Sequence, residues 1–381
     1  MSDKPAILNY LDAMNEKGAS DLYLTSNSVP MLRVDDDLIE IGSEPMSTEQ
    51  IKSILESVLI SRQRHDFYNS NELNVSLELP EYGRFRVNVF KQKQEPGIVI
   101  RRIVKKIPSM KDLHLPDVIR EIAMEKRGLV LLTGMTGSGK STTLAAMIDY
   151  VNENHKRHIV TIEDPLEYIH NHKKSVVTQR EVGVDTDSYA TAMKNVLRQR
   201  PDVILVGEIR DREVMEQTIN SAETGHLCLS TVHANNAYQA IERITNFFPD
   251  ESAKLIRASL ATNLKAIIAQ RLLPGKNGGL VPALEIMKNE GHVKDLIAMG
   301  EIGKIREIMS RNTGTGMQTF DQSLVGLLKD DLITEEVAIK NADNMNDFKV
   351  MLKRIENPYA ENPELMFGHD KPNSEKIVFA D

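Results

Sequence analysis

Leu129-Val130-Leu131-Leu132-Thr133-Gly134-Met135-Thr136-Gly137-Ser138-Gly139-Lys140-Ser141 is the stretch that decides the fold class of this chain. Its second half, Gly134 to Ser141, fits the G-x-x-x-x-G-K-[ST] pattern of a phosphate loop. Glycines let the backbone curl so that successive N–H groups point at phosphate oxygens. The residues expected to hold a nucleotide are Gly134, Thr136, Gly137, Ser138, Gly139, Lys140, Ser141 and Thr142. Lys140 reaches toward the β- and γ-phosphates, and the Ser141 hydroxyl is placed to ligate Mg²⁺. Leu129 to Thr133 reads as a buried parallel strand. Thr142-Thr143-Leu144-Ala145-Ala146-Met147-Ile148 reads as a helix whose N-terminus is a natural anion site. A glycine-rich turn with a chance lysine is the competing reading, and the strand, loop, helix order speaks against it.

Composition bounds the rest. At 381 residues the chain has room for two domains, each with its own core. A net charge of −8 argues against a nucleic-acid motor, although a local basic surface at a ring pore stays open. Cys228, the single cysteine, sits in the apolar run Leu227-Cys228-Leu229 and reads as a core residue in a reducing compartment. No apolar run approaches the ~18–20 residues of a membrane span. Met1-Ser2-Asp3-Lys4-Pro5 lacks the features of a secretory signal. The expectation is a cytoplasmic protein that a membrane machine recruits to its surface.

Upstream of the phosphate loop, the first hundred or so residues read as a separate α/β module. Ile7 to Lys17 predicts a short helix closed by Gly18, and Ser20-Asp21-Leu22-Tyr23-Leu24 opens a strand. Ser47-Thr48-Glu49-Gln50 fits a capping box at the start of a helix expected to run to about Arg64. Leu73, Val75, Leu77 and Leu79 alternate as in a half-buried strand. Gly83 marks a turn into a partner carrying Phe85, Val87 and Val89, with Arg84, Arg86 and Asn88 on its other face. A last strand, Ile98 to Ile103, carries Arg101 and Arg102, and the basic, proline-containing Val104 to Met110 reads as a hinge.

From Leu113 strands and helices alternate, with strands expected at 129–133, 158–163, 203–206 and 227–232. That order implies a parallel sheet with helices on both sides. After Met287 the chain turns helical, most clearly over Thr319–Leu328 and Glu335–Ala342, and prolines recur among polar residues from Asn357. The expected organisation is an N-terminal domain at 1–107, a linker at 108–112, an ATPase domain with C-terminal helices at 113–357 and a flexible tail at 358–381.

Three more strand ends carry chemistry. Ile159-Val160-Thr161-Ile162 delivers Glu163-Asp164, with Pro165 turning the chain away. Carboxylates at such an end can orient a water or hold Mg²⁺. Val203-Ile204-Leu205-Val206-Gly207-Glu208 ends in a single acid, with Gly207 where many phosphate-loop enzymes carry the metal-associated Asp. One division of labour has Glu208 acting through Mg²⁺ and its waters while Glu163 polarises the attacking water; the reverse stays open. His233, closing Gly225-His226-Leu227-Cys228-Leu229-Ser230-Thr231-Val232-His233, is either a γ-phosphate sensor or a satisfied core histidine. Arg210 follows Glu208 closely, and Arg243 lies ten residues beyond His233. In a ring, arginines reach a neighbour's phosphates. Arg84, Arg86 and Arg101 are the candidates for that, against the reading of a solvated strand face.

Together these stretches resemble the secretion/pilus ATPase superfamily, and within it the type IV pilus retraction branch (PilT and PilU). Gly134–Ser141 corresponds to Walker A, Ile162–Glu167 to the Asp box, Ile204–Arg210 to Walker B and Ser230–Asn235 to the His box. Leu255–Ala261 is a looser form of the branch's own motif, followed by Gln270-Arg271-Leu272-Leu273-Pro274. The resemblance implies a PAS-like N-terminal domain, a RecA-like ATPase domain and a homohexameric ring that binds Mg-ATP. Hydrolysis would then shift one domain against the other and pass the motion to an inner-membrane platform protein, releasing pilins from the filament base. Assembly-type relatives carry a four-cysteine metal module and an additional N-terminal domain. With a single cysteine, no zinc is expected here, and extension or secretion is disfavoured. The chain's length and Arg198-Gln199-Arg200-Pro201-Asp202 before Walker B lean toward the PilU-like side. Two functions follow from the resemblance: an autonomous retraction motor, or an accessory ATP-binding subunit that depends on a paralogous retraction ATPase.

Overall fold

The computed structural model describes residues 6–34, 37–103 and 106–356. The expected tail at 358–381 and the Val104-Lys105 part of the hinge lie outside them. By packing the chain falls into two units, one of Met1–Asp112, Pro116–Leu129 and Ser141–Thr231, the other of Leu113–Leu115, Val130–Lys140 and Val232–Asp381.

In the first unit the N-terminal elements are α1 (Ala6–Glu16), β1 (Asp21–Thr25), β2 (Met31–Val34), β3 (Asp37–Glu40), α2 (Thr48–Val58), α3 (Ser61–Ser70), β4 (Glu72–Leu79), β5 (Gly83–Gln92) and β6 (Glu95–Arg102). The strands form one sheet in the order β3-β2-β1-β6-β5-β4, antiparallel at every pairing. Among the described residues its core draws on those between Ile7 and Ile100, Leu11, Leu22, Ile54, Phe67, Phe85 and Ile100 included. That self-contained core is the ground for proposing the 1–107 domain as a folding unit. β5 alternates as expected: Phe85, Val87 and Val89 are buried, while Arg84, Arg86 and Asn88 are partly exposed. β2 and β3 escaped the sequence reading because they are four residues each and β3 is exposed throughout, leaving no alternation to detect.

The helix that Ser47 opens is shorter than expected. Its capping box is present: Ser47 Oγ accepts from the Gln50 N–H at 3.2 Å, and Gln50 Oε1 accepts from the Ser47 N–H at 2.7 Å. The helix stops at Val58, Leu59 is extended, and α3 starts anew with Gln63 Oε1 accepting from the Ile60 N–H at 3.1 Å. An unbroken helix would carry Phe67 about 160° around the axis from Ile51, away from the core. The break turns both side chains inward, Ile51 at 0% and Phe67 at 1% exposure.

The second sheet gathers β7 (Gly128–Thr133), β8 (His158–Glu163), β9 (Val176–Glu181), β10 (Val203–Val206), β11 (Leu227–Val232), β12 (Leu264–Pro274) and β13 (Leu280–Lys288) in the order β13-β12-β7-β11-β10-β8-β9. The four expected strands are present. β8 to β11 pair in parallel, whereas β12 and β13 are antiparallel, so the sheet is mixed and the expectation of a wholly parallel one is corrected. β12 was missed because an 11-residue, mostly buried apolar run reads equally well as a helix. β9, with its Thr178-Gln179-Arg180 stretch half-buried, offers no clean pattern.

The intervening helices are α4 (Val118–Ala123), α5 (Lys140–Asn154), α6 (Tyr189–Val196), α7 (Arg212–Glu223), α8 (Ala237–Thr245) and α9 (Asp250–Asn263). After β13 the described residues form α10 (His292–Met299), α11 (Ile305–Arg311), α12 (Phe320–Lys329), α13 (Glu335–Asn341) and α14 (Met345–Glu356). Phe320 and Leu324 of α12 and Phe348 of α14 pack with Ala269, Leu273, Val281 and Ala283 of the β12–β13 pair. No helix among the described residues is long and apolar enough to cross a membrane.

Candidate functional site

The phosphate loop joins β7 to α5, whose first residue is Lys140. Two of its glycines are required by space as well as by backbone angle. A Cβ on Gly134 (φ 151°) would fall 2.5 Å from the Gln270 carbonyl oxygen, and one on Gly139 (φ 83°) 2.8 Å from Gln270 Nε2. Buried Gln270, on β12, therefore sets the floor against which the loop curls. Lys140 is only 9% exposed, and its Nζ donates to the carbonyls of Gly134 and Met135, both at 2.9 Å. The ammonium is thus held inside the loop, where arriving phosphate oxygens can exchange for carbonyls.

Two cavities open beside the loop within the second unit. One of about 750 Å³ is lined by Gly134, Met135, Thr136, His233, Asn235, Arg243 and Phe247 among others. The other, about 550 Å³, is lined by Gly134 to Ser138 with Asn235, Gln270, Arg271, Leu272 and Asn341. His233, which follows β11, and Arg243 of α8 thus line a cavity together with residues of the phosphate loop. Thr133 Oγ1 donates to Ala234 O at 2.7 Å and ties the end of β7 to the turn carrying His233.

Gln270, Arg271 and Asn341 were not among the expected site residues; the polar Gln-Arg pair inside an apolar run was the available signal. Arg271 is heavily anchored. Its Nη2 pairs with Asp343 at 2.9 Å, its Nη1 donates to Asn341 O at 3.1 Å, and its guanidinium lies 3.8 Å from the Phe320 ring centroid.

In the first unit, β8 and β10 run parallel in register, so their C-terminal ends fall at one edge of the sheet. Glu163 is the last residue of β8. Burial pushes its carboxyl up to about 7, and its buried Oε1 has no hydrogen-bond partner among the described residues. A carboxyl poised near neutrality is suited to proton transfer. Glu208 differs: its Oε2 takes both Nε and Nη2 of Arg210, each at 2.8 Å. Thr142 and Tyr168 share a hydrogen bond of 2.9 Å between their hydroxyls.

Gly207, where many phosphate-loop enzymes have Asp, has a local reason. A Cβ there would lie 2.9 Å from Tyr189 Oη, 3.3 Å from Glu163 Cα and 3.4 Å from Ile162 O. Gly207 N donates to Ile162 O at 2.8 Å, and Gly207 O accepts from Thr231 Oγ1 at 2.8 Å, so its backbone is held on both sides. Gly207→Ala is expected to destabilise the protein by about 1–3 kcal/mol through overpacking. Thermal unfolding measures this, and an unchanged melting temperature would contradict the crowding.

The arginines of β5 and β6 have distinct surroundings. Arg84 Nη2 pairs with Glu181 Oε2 at 3.0 Å, and that oxygen also accepts from Ser76 Oγ at 2.9 Å. Arg101, with its side chain 64% exposed, pairs with buried Asp21 at 2.6 Å. Arg86 faces Ser76 on β4 and Arg101 on β6 in the strand register.

Oxygen donors suit Mg²⁺, and the Ser141 hydroxyl and Glu208 carboxylate are of that kind. Among the described residues no group of three or more His, Cys, Asp and Glu side chains is arranged to hold a metal alone. Mg²⁺ needs none, since it takes one or two protein oxygens and completes its shell from phosphate and water.

Comparison with known proteins fits this arrangement. The family described as Type II/IV secretion system protein matches residues 4–293. Type IV pilus ATPase PilU of Pseudomonas aeruginosa is 47% identical over 344 residues, covering 90% of each chain. The retraction ATPase PilT of the same organism is 40% identical over 333 residues, covering 87% of this chain and 97% of PilT. The crystal structure of the pilus retraction motor PilT with bound ADP superposes with a TM-score of 0.84 at 39% identity, covering 90% of this chain and 98% of that one.

Proposed function

From the premise that this chain belongs to the Type II/IV secretion system protein family, with type IV pilus ATPases among its relatives, we propose that it hydrolyses ATP to drive retraction of type IV pili. The observation that carries the reading is the phosphate loop: a buried Lys140 held inside a glycine curl that Gln270 shapes. Gly134, Thr136, Gly137, Ser138, Gly139, Lys140, Ser141 and Thr142 bind the triphosphate through backbone N–H groups, the ammonium and hydroxyls. Ser141 and Glu208 hold Mg²⁺, which supplies charge neutralisation on the phosphates when bound. Glu163 takes the proton of the attacking water. Its raised pKa and its unpartnered Oε1 favour it over Glu208, one of whose oxygens is engaged by Arg210. His233 and Arg243 sense the γ-phosphate from the cavity beside the loop.

In this reading the working form is a homohexamer, and Arg84, Arg86 and Arg101 act across the subunit interface. Arg86 has the strongest claim, because Arg84 and Arg101 already have carboxylate partners within the chain. Arg86→Ala is expected to lower hydrolysis more than tenfold in the assembled ring, in the manner of an arginine finger. Mixing Arg86→Ala subunits with Lys140→Ala subunits should restore part of the rate, because an intact loop can then meet a neighbour's intact Arg86; a mixture as slow as the two variants apart would refute action in trans. The motor transmits its motion to an inner-membrane platform protein and works peripherally at that membrane.

The higher identity to PilU than to PilT, 47% against 40%, favours an accessory, PilU-type role. The test is the ATPase rate of the purified oligomer, alone and mixed with the paralogous retraction ATPase, with Lys140→Ala as blank. Robust turnover alone supports an autonomous motor. Turnover only in the mixture supports the accessory role, and none in either refutes ATP hydrolysis.

A further inference from the structure

Tyr189 is the first residue of α6, whose N-cap Ser188 accepts from the Thr191 N–H at 3.0 Å. That cap fixes the start of the helix, and with it the backbone that carries the phenol ring. The ring's hydroxyl comes to rest against Gly207, 2.9 Å from the point where a Cβ would begin and beside the Cα of Glu163. It therefore fills the space that the Asp side chain of a more common Walker B element would enter.

Its surroundings are acidic. Asp164, Glu163 and Glu208 all act on it electrostatically, with Arg210 opposing them, and burial together with these carboxylates drives its acidity well below that of a free phenol. It stays an O–H donor across the whole working pH range. Even so, burial and charge are the only influences on it, with no hydrogen bond to a described residue among them. A half-buried donor facing carboxylates and bonded to none of them needs an acceptor, and the natural one is a water shared with those carboxylates.

We infer that Tyr189 is a positioning residue for hydrolysis: its hydroxyl donates to the oxygen of the attacking water and holds that water against Glu163. The phenol thereby joins Glu163 and the γ-phosphate as the third group around the water, from the space that a side chain at position 207 would otherwise take. A water has two lone pairs, so one can accept from Tyr189 while the other bonds to the γ-phosphorus; the bond from that phosphorus to the β–γ bridging oxygen breaks, ADP leaves with the electron pair, and the water's proton passes to Glu163. This rests on the proposed role of Glu163, and the test separates the two.

Tyr189→Phe removes one oxygen, the atom nearest the Gly207 Cβ position, and keeps the ring. Turnover at saturating ATP should fall about tenfold, the worth of one well-placed hydrogen bond. The KM for ATP, the affinity for a fluorescent ATP analogue and the melting temperature should stay at wild-type values. The deciding readout is a double-mutant cycle with Glu163→Gln: once the base is gone, Tyr189→Phe should cost little more. A Tyr189→Phe variant as fast as wild type, or one whose loss adds in full to that of Glu163→Gln, overturns the inference and leaves the role of Glu163 standing. A Glu163→Gln variant as fast as wild type overturns the catalytic reading, and this inference with it.

Discussion

Lys140→Ala is expected to abolish ATP turnover, with a loss on the order of 10³ or more, the scale at which removal of one charge-stabilising donor is felt in a dry site. The reason is geometric as well as electrostatic. Lys140 Nζ is buried and donates to Gly134 O and Met135 O, two carbonyls of the loop itself. Alanine removes the only lysine in the Gly134–Ser141 motif and leaves those carbonyls without that donor. Both losses fall on the loop and not on the hydrophobic core. The variant should therefore keep its circular-dichroism spectrum while failing to hydrolyse ATP. A folded Lys140→Ala protein with wild-type turnover would sink the assignment of this loop as the triphosphate site.

Glu163→Gln should be nearly as severe, slowing hydrolysis by about 10²–10⁴ while ATP still binds, since general-base assistance is worth that much. The pH dependence gives a second, independent check. Burial raises the Glu163 carboxyl to about 7, so the group is mostly protonated below that pH and ionised above it. Only the ionised form accepts the proton of water. Turnover should therefore rise with pH through a midpoint near 7 and level off above it. Glu163→Gln should lose that rise and leave a low, flat rate. Retention of the rise in Glu163→Gln would move the base to another group, with Glu208 the first to examine.

Several features of the site were legible because they are local. Strand, loop and helix follow each other within 26 residues from Leu129 to Asn154, and each is specified by its own composition. Glu163, Glu208 and His233 were readable because each closes, or directly follows, an apolar run. The helix break at Leu59-Ile60 was not legible, because Gln63 makes a second capping contact that becomes worthwhile only once Phe67 has a core to enter. Arg84 and Arg101 look alike in sequence, as cations on two strands of the N-terminal module. Folding gives them different partners, Glu181 from a strand 97 residues away and Asp21 from 80 residues upstream.

What the sequence determined by itself was the phosphate-loop class, the α/β character of both sheets and the acids at the strand ends. These follow from side-chain period and from a motif whose backbone geometry leaves few alternatives. Tertiary structure alone decided that Gln270 shapes the loop, that Arg271 lines the cavity beside it while tied to Asn341 and Asp343, and that Tyr189 takes the space over Gly207. The physical reason is common to all three. Each depends on contact between residues distant in the chain, and steric exclusion and buried hydrogen bonding act on distance in space, which sequence order does not encode.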